Sequence, residues 1–254
     1  MIIAETSIEI NYVKPMPKLT EYVENIWMLR NTSDTEYEII VLPDGRLDIS
    51  FSYSFKQSYH VMLMGLGTKP EPTVIPAGVV IFAVSFKLLA MEYLLNLKAG
   101  SILNEGQLLP TDFLGIIEGD LSDFNAFCEK ITATMLAFIN PHIDNRKQTL
   151  FQLIYASNGT MTVAELSKKA YWSSRQINRY FNQQFGISIK EYCSILRFWA
   201  SLPHIKNGQL FPELNFTDQS HFIKEIKKFS GVVPKELSKN QNDRFILLSV
   251  LPKR

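Results

Sequence analysis

Apolar residues recur every second position in the first part of the chain and every third or fourth position later, so strands are expected first and helices after them. Leu47–Tyr53 alternates cleanly, with Leu47, Ile49, Phe51 and Tyr53 on one side and Asp48, Ser50 and Ser52 on the other. Glu36–Leu42 is rich in β-branched and aromatic residues, and Pro43-Asp44-Gly45-Arg46 lies between these two runs. Pro fixes φ while Asp and Gly tolerate a tight turn, so the pattern predicts a β-hairpin. Tyr59–Met64 and Val79–Phe86 read as further strands, joined by a Pro- and Gly-bearing loop from Gly65 to Gly78. Spacing then turns helical over Leu88–Leu97 and over Leu121–Ile139, where Phe124, Phe127, Ile131, Met135 and Phe138 form a stripe. Asn140-Pro141 ends that helix, and Pro141–Lys147 reads as a linker. The pattern divides the chain into an α+β, β-rich domain over 1–145 and an all-α domain over 146–254.

The second domain carries the chemistry. Leu150–Ala156 reads as a short helix stopped by Asn158-Gly159, and Thr162 with Glu165 has the spacing of a capping box ahead of a helix over Val163–Ala170. Ser173 to Phe185 follows as a second helix closed by Gly186, with Ile177, Phe181 and Phe185 on one side and Tyr180 at the edge. Arg175, Arg179 and Asn182 fall at i, i+4, i+7 on the opposite side, flanked by Gln176, Asn178 and Gln183. A similar helix from Thr217 to Phe229, closed by Gly231 and Pro234, buries Phe222, Ile226 and Phe229. It offers Ser220, His221, Lys224, Lys227 and Lys228 outward. Arg forks onto guanine O6/N7 and Asn or Gln onto adenine N6/N7, so such a face suits the major groove. Ser174 and Thr217 stand near helix N-termini, where hydroxyl and backbone N–H groups meet phosphate. The plainer alternative for either stripe is a solvated helix face.

Charge decides between those alternatives. Residues 1–145 hold nine Lys and Arg against eighteen Asp and Glu, a net charge of −9, whereas residues 146–254 hold seventeen against seven, a net charge of +10. A cationic region coinciding with both helix pairs points to nucleic acid. Two cysteines, Cys128 and Cys193, supply neither a disulfide framework nor a zinc set, and both fall at core-like positions of helical patterns. The apolar runs Val79–Phe86 and Phe245–Leu251 are too short to span a bilayer. Acidic Glu5 comes too early for a signal peptide. A cytoplasmic protein of a reducing compartment is expected, with no membrane association. The apolar tail Phe245–Leu251 is expected to dock as a strand or short helix.

The run Phe216-Thr217-Asp218-Gln219-Ser220-His221-Phe222, continued by Lys227-Lys228-Phe229-Ser230-Gly231-Val232-Val233-Pro234, resembles the signature of the AraC/XylS family of transcription regulators. Ala164-Glu165-Leu166-Ser167, Ser173 to Phe181, Phe185-Gly186-Ile187-Ser188, Glu191-Tyr192 and Leu196-Arg197-Phe198 resemble the first unit of the same family. The likeness covers roughly 150–238 and implies two helix-turn-helix units joined by a helix over Ile189–Ser201. It also implies base-reading roles for Arg175, Gln176, Asn178 and Arg179, and for Gln219, Ser220, His221 and Lys224. Three departures stand out: Pro212 inside the expected scaffold helix over 208–216, Asn215 where Gly is usual, and Pro203, which should cut the linking helix.

Residues from Leu19 to about Leu114 resemble, more weakly, a poorly characterised module found ahead of such tails, which implies a β-rich, cupin-like sensor or dimerisation domain. Its matching pieces are Tyr22 to Trp27, Leu42 to Ile49, and Ala83 to Lys87. Asp44 and Asp48 could be imagined as a carboxylate pair, but a turn and an outward strand position explain them better. His60, His142 and His204 lack ligand spacing, and no phosphate loop or nucleophile elbow occurs, so no catalytic residue, cofactor or metal ligand is expected. Trp27, Phe51, Tyr53, Phe82 and Phe86 read as core before they read as an effector pocket. The expected function is a transcription regulator that binds double-stranded DNA, its first domain sensing a small-molecule effector, self-associating as a homodimer, or both. The resemblance favours activation through contact with RNA polymerase over repression. Two rivals remain: a DNA-repair-type enzyme with a DNA-binding appendage, and a ligand-free dimeric regulator whose first half is only a scaffold.

Overall fold

In the computed structural model, residues 7–211, 216, 218–246 and 248 are described. Two compact units are present. The first comprises Met1–Glu38, Arg46–Gly65 and Val74–Ile143, and the second takes in Ile39–Gly45, Leu66–Thr73 and Asp144–Arg254. The chain therefore contributes two short stretches of its first half to the helical unit.

The first unit is built on a six-stranded antiparallel sheet. Its strands in chain order are β1 (Ile8–Val13), β2 (Val23–Asn31), β4 (Leu47–Tyr53), β5 (His60–Met64), β7 (Val80–Phe86) and β8 (Gly106–Leu109), and they lie in the order β1-β2-β7-β4-β5-β8. Two further strands, β3 (Tyr37–Val41) and β6 (Glu71–Ile75), form a separate pair. Helix α1 (Leu88–Tyr93) follows β7, and α2 (Phe124–Phe138) closes the unit. Register fixes what each face carries: Ile49 opposes Val84 and Leu63, and Phe51 opposes Phe82 and Val61. These side chains are buried, and Phe127 of α2 meets them edge-on, with ring centroids 5.6 Å from Phe51 and 5.2 Å from Phe82. Such T-shaped aromatic pairs place the positive ring edge against a negative face. The opposite sheet face is half-polar: Trp27 Nε1 donates to Ser85 Oγ at 3.1 Å, and Ser85 Oγ donates to Asp48.

Several expectations are corrected here. β3 and β4 do not pair as a hairpin, since β3 joins β6 while β4 lies between β5 and β7. Between β3 and β4, Leu42 is 2% exposed and Gly45 lies in the left-handed region at φ 77°. The expected loop from Gly65 to Gly78 contains β6. Helix α2 begins at Phe124 behind the Asp123 cap, because residues Glu118–Ser122 form a 3-10 turn. Phe138 does not join its buried stripe and is 56% exposed. Phe51, Phe82 and Phe86, by contrast, are wholly buried core as expected.

The second unit is helical: α3 (Asn145–Ala156), α4 (Val163–Lys169), α5 (Ser174–Phe185), α6 (Ile189–Lys206), α7 (Gln219–Ser230) and α8 (Pro234–Lys239). α3 begins inside the expected linker, capped by Asp144, whose carboxylate accepts from Arg146 N at 2.9 Å. α6 runs through Pro203 to Lys206. Pro203 removes one N–H from the helical ladder, and its carbonyl still accepts from Asn207 N at 3.2 Å. Phe245, Ile246 and Leu248 are buried, while the rest of the apolar tail, residues 247 and 249–251, lies outside the described residues. No helix among the described residues is long and apolar enough to cross a membrane.

Candidate nucleic-acid interface

Helix α5 is defined at both ends by side-chain and backbone chemistry. Ser173 Oγ accepts from Gln176 N at 3.3 Å, and Gln176 Oε1 accepts from Ser173 Oγ at 2.7 Å and Ser173 N at 3.3 Å, a complete capping box. Gly186 closes the helix at φ 75°, a conformation that a Cβ would disfavour. The preceding α4 has its own capping box, Thr162 with Glu165, as the sequence spacing predicts. Glu165 is held below the usual carboxylate range by hydrogen bonds from Thr162 N and Oγ1. Helix, tight turn and helix over Val163–Phe185 thus form a complete helix-turn-helix unit.

Packing sets which side of α5 faces outward. Ile177, Phe181 and Phe185 are wholly buried, and Phe151 of α3 sits 5.7 Å from the Phe181 ring and 6.1 Å from the Phe185 ring. Tyr192 of α6 also meets Phe181, at 5.7 Å. Burying three large apolar side chains stabilises the seating by roughly 1.5–3 kcal/mol each. Arg175, Gln176, Arg179, Asn182 and Gln183 are left exposed, and Ser174 and Asn178 half-buried.

The outward side chains are not equivalent. Asn178 Nδ2 donates to the Ser174 carbonyl at 2.9 Å, and Asn182 Nδ2 donates to the Asn178 carbonyl at 2.9 Å. Each of these bonds uses one of the two N–H groups of its amide and ties the side chain back along its own helix, which narrows the directions in which the other N–H and the oxygen can point. Gln176 Oε1 belongs to the cap, so a base-reading role for it competes with helix initiation. Arg175 and Arg179 are the exposed guanidiniums of the stripe.

Helix α7 repeats the arrangement. Asp218 is its N-cap, accepting from His221 N at 2.8 Å, and Gly231 closes it at φ 78°. Phe222, Ile226 and Phe229 are buried, with Phe229 5.4 Å from Phe198 of α6. Gln219, Ser220, Lys224 and Lys228 are exposed and His221 is half-buried. Gln219 Nε2 donates to the Leu210 carbonyl at 2.9 Å, and His221 Nε2 lies 3.8 Å from Glu225. Lys228 Nζ donates to Glu191 of α6 at 3.0 Å, an exposed pair of little net worth that a phosphate could displace. Thr217, named as a phosphate contact, lies outside the described residues, as do Pro212 and Asn215 of the expected scaffold helix.

Sequence reasoning missed what holds the helices together. Gly159 packs so closely on α6 that a Cβ there would stand 2.3 Å from the Cys193 carbonyl oxygen. Its own carbonyl accepts from Arg197 at 3.0 Å. On the same helix, Tyr192 Oη donates to the Gly45 carbonyl at 3.0 Å and shares a 2.9 Å hydrogen bond with Tyr155 Oη. No linear spacing announces a contact between residues so distant in sequence. No cluster of metal-ligating side chains occurs among the described residues.

Residues 11–106 match a family model described as a domain of unknown function (DUF6597). No curated protein matches the chain. Among solved structures, it is similar to ToxT from Vibrio cholerae O395, at 12% identity over 93% of this chain and 98% of that one, with a TM-score of 0.45. A second structure of ToxT from Vibrio cholerae is similar at 11% identity, 92% and 98% coverage and a TM-score of 0.44. Wild-type ToxT from Vibrio cholerae strain SCE256, bound to an unsaturated fatty acid, is similar at 14% identity, 93% and 96% coverage and a TM-score of 0.39.

Proposed function

We propose that this chain is a sequence-specific, double-stranded-DNA-binding transcription regulator of AraC/XylS type. Residues 146–254 form its DNA-binding part, and the β-rich part before it senses a small molecule, mediates self-association, or does both. The observation that carries the reading is the division of α5: its apolar residues are wholly buried, while Arg175 and Arg179 stand exposed one turn apart on a helix capped at both ends. Within a region of net charge +10, that face has the residue types that grip phosphates and fork onto guanine. α7, with Ser220 and Lys224 exposed beyond a buried Phe222–Ile226–Phe229 stripe, supplies the second reading helix. Such a protein works in the cytoplasm beside its DNA, and contact with RNA polymerase would make it an activator.

Selection of bound sequences from a random duplex pool by the full chain tests this. A recovered motif whose binding weakens steeply with salt is expected. Arg179→Ala should then cost about 1–3 kcal/mol on the motif and relax preference at one or two base pairs. Equal loss on motif and random duplex would reassign Arg179 to phosphate contact. Absence of any duplex affinity at low salt would remove the proposal altogether.

A further inference from the structure

The turn between α4 and α5 holds a residue that turn geometry alone would not favour. Tyr171 has φ 51°, in the left-handed region where a Cβ crowds the backbone. Elsewhere in the helical unit the chain meets this requirement with glycine at 159, 186, 208 and 231, and with small polar residues at Asn158, Asn240 and Asp243. Burial does not compensate at Tyr171, whose side chain is 90% exposed. Its neighbour Trp172 behaves oppositely: it is 9% exposed and packs 5.2 Å from the Tyr180 ring. An aromatic ring is thus held in water, on a disfavoured backbone, two residues ahead of the Ser173 cap. Successive Cα atoms are about 3.8 Å apart, so the ring's anchor lies within roughly 8 Å of the Ser173 cap.

We propose that Tyr171 is a DNA-backbone contact, its ring lying on a deoxyribose and its hydroxyl donating to a phosphate oxygen beside the groove that α5 enters. This rests on the reading of α5 as a groove helix. In a helix-turn-helix unit the first helix crosses the backbone and the second enters the groove, so the intervening turn overlies the phosphates. Tyrosine is among the side chains that donate to phosphate, and with two rotatable bonds it loses little freedom when it docks. Ser174 and Arg175, half-buried and exposed respectively, continue the same edge. Strained, exposed residues gather where a ligand is clamped, and here the duplex is the ligand whose chemistry matches the neighbours. A backbone contact carries no sequence information, which sets Tyr171 apart from Arg179.

The test uses the full chain with Tyr171→Gly, Tyr171→Phe and Arg175→Ala, titrated against the selected duplex and an unrelated duplex of equal length, beside thermal melts. Tyr171→Gly should raise Tm while weakening both duplexes by a similar factor, roughly threefold to tenfold, with Tyr171→Phe in between. Unchanged affinity in Tyr171→Gly, with Arg175→Ala still losing binding, overturns the contact and leaves the groove reading standing. If Arg175→Ala also changes nothing, both fail together. Loss of self-association in Tyr171→Gly at constant DNA affinity would assign the ring to a protein partner and likewise overturn the proposal. So would a lower Tm in Tyr171→Gly, because the turn would then need tyrosine for folding.

Discussion

Arg197 on α6 reaches Glu225 on α7 at 3.5 Å, with both side chains largely withdrawn from solvent, at 15% and 14% exposure. The same guanidinium donates through Nη1 to the Gly159 carbonyl at 3.0 Å and through Nη2 to Ser194 Oγ at 2.8 Å. One side chain therefore ties the turn before α4, the long α6 and the second candidate reading helix. The planar guanidinium spreads its donors over separate nitrogens at fixed angles, which the single ammonium of a lysine does not. Arg197 thus holds α7 against α6 and against the turn that precedes α4.

Arg197→Ala should destabilise the helical unit by about 3 kcal/mol, because it leaves Glu225 and the Gly159 carbonyl without their partner in a nearly dry setting. We place it at the low end of the buried-pair range, since 3.5 Å is long for this bond and Arg197 Nε is itself buried without a partner. The double variant Arg197→Met, Glu225→Leu should recover most of the loss, as paired apolar replacement often does. Urea unfolding followed by tryptophan fluorescence checks both, with Trp172 and Trp199 reporting on the helical unit. A single-variant loss below about 1 kcal/mol would show that the contact is idle.

Ser173→Ala removes the two bonds made by Ser173 Oγ in the α5 capping box and leaves the one from Ser173 N to Gln176 Oε1. The expected loss is about 1 kcal/mol, whereas Ser173→Asp, which retains an acceptor and places negative charge at the helix N-terminus, should lose much less. Thermal melts separate the two. No measurable loss in the alanine variant would show that the hydroxyl contributes nothing to the cap.

What could be read from the chain beforehand was whatever depends on neighbours in sequence. The Thr162–Glu165 box, the Gly186 and Gly231 stops, the alternation over Leu47–Tyr53 and the stripe of Ile177, Phe181 and Phe185 are all local, and period and capping chemistry reveal them. Strands β1 and β8 escaped because short strands at a sheet edge need little hydrophobic alternation, and Tyr12 and Leu108 stay exposed. The pairing of β3 with β6 escaped for another reason: a Pro-Asp-Gly turn states that the chain reverses, not which strand it will meet. Arg197 read as one more cation in a basic region, since its role exists only once Gly159 and Glu225 are brought beside it. Tyr171 carried a signal that was readable, a bulky residue where the turn geometry suits glycine, but its exposure was not.

Gly45 supplies a sharp check on the composition of the helical unit. Its φ is 77°, and an added Cβ would meet Leu196 Cδ2 at 2.8 Å and Tyr192 Cε2 at 3.2 Å. Gly45→Ala should therefore destabilise the helical unit by about 1–3 kcal/mol, from backbone strain and overpacking together. Tyr192→Phe should remove about 1–2 kcal/mol through the lost bonds to Gly45 and Tyr155. Hydrogen exchange on the full chain localises the effect. Faster exchange in α6 is expected for both variants, and a change confined to the strands around residue 45 would contradict this assignment.

The two thiols give a test by pH. Burial pushes Cys193 up to about 12, despite the opposing pull of the Arg197 charge, and pushes Cys128 up to about 11, aided by Glu129. At neutral pH neither holds an appreciable thiolate, so iodoacetamide should label neither in the folded chain and both after denaturation. Rapid labelling of Cys128 in the folded state would revive a thiol-dependent repair reaction for this protein. The same shifts determine the alkaline limit. A thiol whose value is raised by folding contributes fully below its ordinary value of 9.0, and that contribution disappears as pH climbs toward about 12. Stability of the helical unit should accordingly decline between these limits, and Cys193→Ala should flatten the decline while lowering stability at neutral pH. An unchanged alkaline slope in that variant would mean that Cys193 ionises as readily in the folded chain as in the unfolded one.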